Sequence, residues 1–124
     1  MTLQKSFEEK LEIDSENWLI WDDNWINYWN KKDNYGLINI DDKGFILYKH
    51  INKTECYIVF AFVYSKERKK GYLRQMLKEL ENKYNIIKLA SFDDITDKVW
   101  SKLGFHCYKK GGVNECNYFT NIHA

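Results

Sequence analysis

With 124 residues and a formal net charge of +1, the chain has room for one domain built on one core, and no global charge draws it to nucleic acid or a membrane surface. No apolar run approaches the roughly 18 residues of a membrane helix, and no secretory leader pattern is present. Three cysteines without a framework spacing fit a reducing cytoplasm, which is the expected location. Charge is uneven: residues 1–35 hold four Lys and eight acids, and residues 36–124 hold fifteen Lys/Arg and ten acids, so the basic part is the later one.

In chain order, Ser6 with Glu9 three positions on predicts a capped helix start. A second helix is predicted over residues 15–29, where Trp18, Trp21, Trp25, Tyr28 and Trp29 recur at three/four spacing. One reading makes this stripe the face packed on the core. The other makes Trp21, Trp25 and Tyr28 the wall of an acceptor pocket. Asp14, Glu16, Asp22 and Asp23 interleave with the rings, and rings beside carboxylates suit a cationic amine. Both readings stay open, for different residues.

Residues 30–36 read as a connector. Strands follow over 37–40, 45–51 and 56–64, joined by tight turns at Asp41-Asp42-Lys43-Gly44 and Asn52-Lys53-Thr54-Glu55, which makes an antiparallel meander. A basic segment, Lys66-Glu67-Arg68-Lys69-Lys70-Gly71, then leads into a helix to about residue 82, with Leu73, Met76, Leu77 and Leu80 on one face. The start of that helix offers unpaired N–H groups and the positive end of its dipole, and Gly71 admits a close backbone approach. Such a device binds phosphate or pyrophosphate. Residues 86–90 read as a strand parallel to the long one, because a helix crosses between them. Asp93 or Asp94 caps a helix over 95–103, Gly104 stops it, and 105–109 with 114–120 form a hairpin about Gly111-Gly112. The class is α+β: a mixed, mostly antiparallel central sheet flanked by helices.

The phosphate-loop pattern GxxxxGK[ST] and the dinucleotide pattern GxGxxG are both absent. Arg68-Lys69-Lys70-Gly71-Tyr72-Leu73 resembles the Q/R-x-x-G-x-G/A signature of the GCN5-related N-acetyltransferases (GNAT), which grip the pyrophosphate of acetyl-coenzyme A; the last position here is Leu73. The resemblance covers roughly residues 37–120, without the family's usual first strand. It implies an acyl-CoA N-acyltransferase fold with acetyl-CoA as cosubstrate and no metal. Ala61, Phe62 and Val63 would meet the pantetheine arm, and Arg68, Lys69, Lys70, Gly71, Tyr72, Leu73 and Arg74 the phosphates. A second family pattern, N-x-x-A-x-x-x-Y-x-x-x-G-F, falls on residues 93–105, with Asp93, Thr96 and Trp100 at its Asn, Ala and Tyr positions. In many relatives that tyrosine is the proposed acid for the coenzyme A thiolate. An indole N–H cannot do that work, so Tyr108 or Tyr64 is the candidate substitute.

The amine must also lose a proton before it attacks. Some relatives place a glutamate base eleven residues before the Q/R position, which here is Tyr57. Glu55 lies two residues earlier and points to the same face of a strand, so it is the candidate base, with Tyr57 as its neighbour. The plain alternative makes Glu55 a solvated turn residue. The expected activity is transfer of acetyl from acetyl-CoA to a primary amine, a small cationic amine or a lysine side chain. A GNAT-like acyl-CoA sensor or binding module without turnover is the second reading. A nucleic-acid-directed protein is disfavoured, because no second basic stripe extends the turn. Cys107 and Cys116 fall opposite each other in the hairpin, near His106 and His123 in sequence. Without paired C-x-x-C knuckles no zinc is expected, and all three cysteines are expected as buried thiols. A monomer is expected, or a homodimer through the hairpin edge carrying Tyr118 and Phe119.

Overall fold

A computed structural model of the chain describes residues 2–91 and 94–120, so Asp93 and His123 lie outside the described residues. The first helix, α1 (Leu3–Ile13), is capped by Thr2, whose hydroxyl accepts the Lys5 N–H at 3.2 Å; Ser6 lies inside the helix and does not start it. The predicted second helix is broken. A 3-10 turn, Asn17–Trp21, ends at Asp22, and α2 (Asp23–Trp29) follows. Asp22 is extended, and its carboxylate accepts the Asn24 N–H at 2.8 Å, so it caps a new helix and cannot continue an old one. The break aims the tryptophans in different directions: Trp25 is buried, while Trp18 and Trp21 are exposed.

Six strands form one sheet in the order β1-β2-β3-β4-β6-β5. They are β1 (Tyr35–Ile40), β2 (Gly44–His50), β3 (Glu55–Val63), β4 (Ile86–Ser91), β5 (His106–Lys110) and β6 (Val113–Phe119). Only β3 and β4 are parallel; α3 (Tyr72–Glu81) is the crossover between them. The meander and the hairpin expected from the turn residues are both present. Helix α4 (Asp94–Lys102) ends at Gly104, which has φ +106.

The two faces of the sheet bury different clusters. On the back face, α3 and α4 cover Ile38, Ile46, Cys56, Ile58, Ile87, Leu89 and Cys116. On the front face, α1 and α2 cover Phe45, Leu47, Phe60 and Phe62. The front helices therefore sit over β1, β2 and β3, and among the described residues no helix covers the front of β4, β6 and β5. Cys107 and Cys116 face each other across β5 and β6, as the hairpin register predicts, but they are joined as a disulfide; only Cys56 is a buried free thiol. Among the described residues, no helix is long and apolar enough to cross a membrane.

Candidate active site

Strands β3 and β4 pair only from Glu55↔Ile86 to Tyr57↔Lys88, and then separate. A bulge at Val59 marks the separation, since Tyr48 pairs with Ile58 and Leu47 with Phe60. Beyond it, the hydrogen-bonding phase of β3 is fixed by the Tyr64 N–H, which donates to the Lys43 carbonyl at 2.9 Å. In an antiparallel pair, bonded and non-bonded positions alternate. Residues 60 and 62 therefore spend their backbone groups on β2, and the amides of Ala61 and Val63 face the opening. The Val63 carbonyl accepts a 2.8 Å bond from Arg68 Nε. Phe62 itself points to the front core, with the Arg68 guanidinium 5.4 Å over its ring.

The chain leaves this strand through a 3-10 turn, Ser65–Glu67, held by Asp14. That carboxylate accepts from the Ser65 N–H at 3.1 Å and the Ser65 hydroxyl at 2.6 Å. Asp14 is thus occupied in fixing the loop and does not line a pocket with the tryptophans. Lys43 and Lys70 reach Glu67 at 3.2 and 3.0 Å, and these bonds hold its carboxyl below the usual carboxylate range. Lys69 and Gly71 both take positive φ, +65° and +86°. A Cβ on Gly71 would meet nothing within 4 Å, so the glycine is there for its backbone angle and the space before it is open. No side chain caps α3, and its first intrahelical bond runs from the Gln75 N–H to the Gly71 carbonyl. The N–H groups of Tyr72, Leu73 and Arg74 thus lie in the unpaired first turn. The Leu73 side chain packs on the back core, which accounts for its departure from Gly or Ala. Arg74 donates to the Lys102 carbonyl at 3.4 Å and so ties α3 to the end of α4.

On the front of the sheet, strand alternation sorts the candidate catalytic groups. Cys56 and Ile58 face the back core, so Tyr57 faces front; Leu89, Cys107 and Cys116 face back, so Ala90, Tyr108 and Glu115 face front. Glu115 pairs in register with Ala90 on one side and Tyr108 on the other. Ala90 sits just beyond the last β3–β4 pair, so this row begins at the opening. The Tyr57 phenol lies against the Ala90 N–H. Burial first and the Glu115 charge second raise its pKa above the usual tyrosine value, and the Ala90 N–H pulls the other way. Tyr108 is half-exposed on the edge strand, remote from β3. Tyr64 is enclosed in the front core, its hydroxyl buried without a partner, and burial pushes its pKa up to about 12.

Glu55 shares the front face with Tyr57, two residues on, but does not reach the opening. It starts β3 at the closed end, and its carboxylate pairs with Lys88 at 3.1 Å. From there to Ala61 the strand climbs six residues, roughly 20 Å. Trp25 is fully buried against Phe7, Phe45 and Trp29, with its Nε1 donating to Glu8 at 3.1 Å, so it belongs to the core and lines no pocket. Tyr28 is half-buried in the same cluster, edge-on to Trp29. Trp21 is 75% exposed. The ring that reaches β3 is Trp18, edge-on to Phe60 at 5.8 Å, with its Nε1 donating to Glu16 at 2.8 Å.

No protein-family model matches the chain, and neither does any curated protein sequence. Solved structures do match. The PaiA N-acetyltransferase of Thermoplasma acidophilum, solved with coenzyme A, superposes on 94% of this chain and 87% of its own, with TM-score 0.64 and 14% identity. A GNAT-family acetyltransferase of Elizabethkingia anophelis, solved with acetyl-CoA, covers 82% and 87% with TM-score 0.58 and 15% identity. The chain has the GNAT fold.

Two departures from the GNAT sequence patterns have a structural cause here. Trp100, at the usual tyrosine position, is buried and packs edge-on to Phe105 at 5.1 Å, so its indole fills the back core. Leu73 fills the same core from α3. Glu115, in register with Ala90, and Trp18, edge-on to Phe60, are not among the site residues expected from the sequence. The hairpin register was the available signal for Glu115: the turn that sets Cys107 opposite Cys116 also sets Tyr108 opposite Glu115. The signal for the break that separates Trp18 from Trp25 was Asp22 itself, a residue type favoured at helix N-caps.

Proposed function

We propose that this protein transfers an acetyl group from acetyl-CoA to a primary amine, directly, with both substrates bound together. The observation that carries the reading is the opened edge of β3, where the Ala61 and Val63 amides face away from β2, next to the uncapped first turn of α3. An extended amide chain ending in a pyrophosphate fits that pair of features. Ala61 and Val63 pair with the pantetheine arm, and the first-turn N–H groups of Tyr72, Leu73 and Arg74 take the pyrophosphate, aided by the exposed Lys66, Lys69 and Lys70.

Acetyl-CoA supplies the activated acyl group; the chain supplies position, a proton donor and a proton acceptor. Tyr57 is the phenol beside the opening. Burial favours its neutral form, so it holds a proton for the departing sulfur at neutral pH. Trp100 is set aside for that role by its chemistry and its burial. The front side, open between the Trp18–Phe60 contact and β6, is where the amine approaches.

Calorimetric titration with acetyl-CoA, beside ATP as a control, tests the reading. Micromolar binding selective for acetyl-CoA is expected; no binding overturns it. A second reading, an acyl-CoA binder without turnover, rests on Trp100 alone. It predicts the same binding isotherm with no acetylated product from any amine.

A further inference from the structure

We propose that Glu115 anchors the acceptor as a primary alkylammonium and takes its proton. This inference rests on the acetyl-transfer reading above and names the acceptor class and the base of that same site.

Four observations converge on Glu115. It faces front, on the β4-β6-β5 part of the sheet that α1 and α2 do not cover. It lies opposite Ala90, just past the last β3–β4 pair, and so at the edge of the opening. Its charge is felt by the Tyr57 phenol, the proposed proton donor. Among the described residues no cation lies within ion-pair distance of it, whereas Glu55, the front-facing carboxylate at the closed end of β3, is already paired with Lys88. A carboxylate at the edge of a site with its own cation missing is complementary to a cationic substrate. Trp18, 54% exposed over Phe60 and bonded to Glu16, gives the alkylammonium an aromatic face on the far side of the mouth. The groups facing Glu115 are Tyr57 from β3, Lys88 from β4, and Tyr108 flanked by His106 and Lys110 from β5.

The proton and electron balance is as follows. The ammonium R–NH3+ gives one proton to the Glu115 carboxylate. The freed lone pair attacks the thioester carbon; the C–N bond forms and the C–S bond breaks, its electron pair leaving on sulfur. Sulfur takes the Tyr57 proton, and the nitrogen's surplus proton restores Tyr57. Glu115 then releases its proton to solvent, so the sum is amide, free thiol and one proton.

The test is acetyl transfer from acetyl-CoA to 1,5-diaminopentane and to Nα-acetyl-lysine amide across pH, with acetyl-CoA affinity measured in parallel by calorimetry. Glu115→Gln is expected to lower kcat/KM about 100-fold and to remove the acidic limb of its pH profile, with acetyl-CoA affinity unchanged. Glu115→Asp, which keeps a carboxylate, retains that limb at a reduced rate, and Glu55→Gln keeps both limb and rate. An unchanged limb in Glu115→Gln, or an equal loss in Glu55→Gln, overturns the proposal. So does a wild type that binds acetyl-CoA but acetylates neither amine, and that outcome leaves the cofactor reading standing. A wild type that does not bind acetyl-CoA overturns both.

Discussion

Glu55 and Lys88 meet at 3.1 Å across the parallel β3–β4 pair, at the end where the two strands are still hydrogen-bonded. The contact spends the carboxylate that strand spacing selects as a base, and holds it six and eight residues from the amides of Ala61 and Val63. Glu55→Gln is therefore expected to leave acetyl transfer within about threefold of wild type. Both partners are part-exposed, so the loss of stability is about 0.5 kcal/mol. Steady-state kinetics beside urea unfolding checks this, and a hundredfold fall in kcat would return Glu55 to the mechanism.

Gly71 separates a backbone requirement from a spatial one. Its φ of +86° disfavours any Cβ, yet a Cβ would touch nothing. Gly71→Ala should cost about 1 kcal/mol of stability from the backbone angle alone. Gly71→Glu adds a carboxylate at the mouth of the first turn of α3, where the proposed pyrophosphate sits, and should weaken acetyl-CoA binding at least tenfold. Calorimetry on the two variants distinguishes the effects; equal affinities would remove the pyrophosphate from that turn.

The tryptophan stripe gives a contrast within one segment. Trp25 is fully buried among Phe7, Phe45 and Trp29, so Trp25→Ala should cost about 3–5 kcal/mol. Trp21 is exposed, and Trp21→Ala should stay within about 0.5 kcal/mol. Urea unfolding of both variants measures the difference, and comparable losses would mean that the 3-10 turn packs as part of the core.

Alkaline pH should destabilise the protein in two stages. Burial pushes the Cys56 thiol from 9.0 to about 12, and Tyr64 and Tyr84 from 10.0 to about 12. Each group keeps its proton in the fold after the unfolded chain has lost it, so stability is fully present below the unfolded value and falls as pH rises towards 12. The fall should begin near pH 9 in wild type, through Cys56, and near pH 10 in Cys56→Ala. Unfolding free energy measured against pH shows the onset; an identical onset in the variant would mean that Cys56 ionises as freely in the fold as outside it.

Much of the framework is local chemistry and was therefore legible in the sequence. Tight turns at residues 41–44 and 52–55 fix the meander, a helical crossover makes β4 parallel to β3, and Gly111-Gly112 sets the hairpin register. The uncapped helix start after Lys70 is equally local, as is the glycine that opens it. Each follows from the conformational range of a few consecutive residues.

Which side chains share a space was decided elsewhere. The Val59 bulge shifts the alternation of β3, so the residues beyond it cannot be assigned to a face by counting from Glu55. Asp22 breaks one predicted helix into two elements, which buries Trp25 and exposes Trp18. Lys88, thirty-three positions away in sequence, takes the carboxylate of Glu55. Glu115 comes into register with Ala90 only because β6 inserts between β4 and β5. Sequence determined the elements because backbone angles and hydrogen-bond phase are set by near neighbours. The tertiary structure decided the site because a side chain's partner is set by strand order and packing, which join residues far apart in the chain.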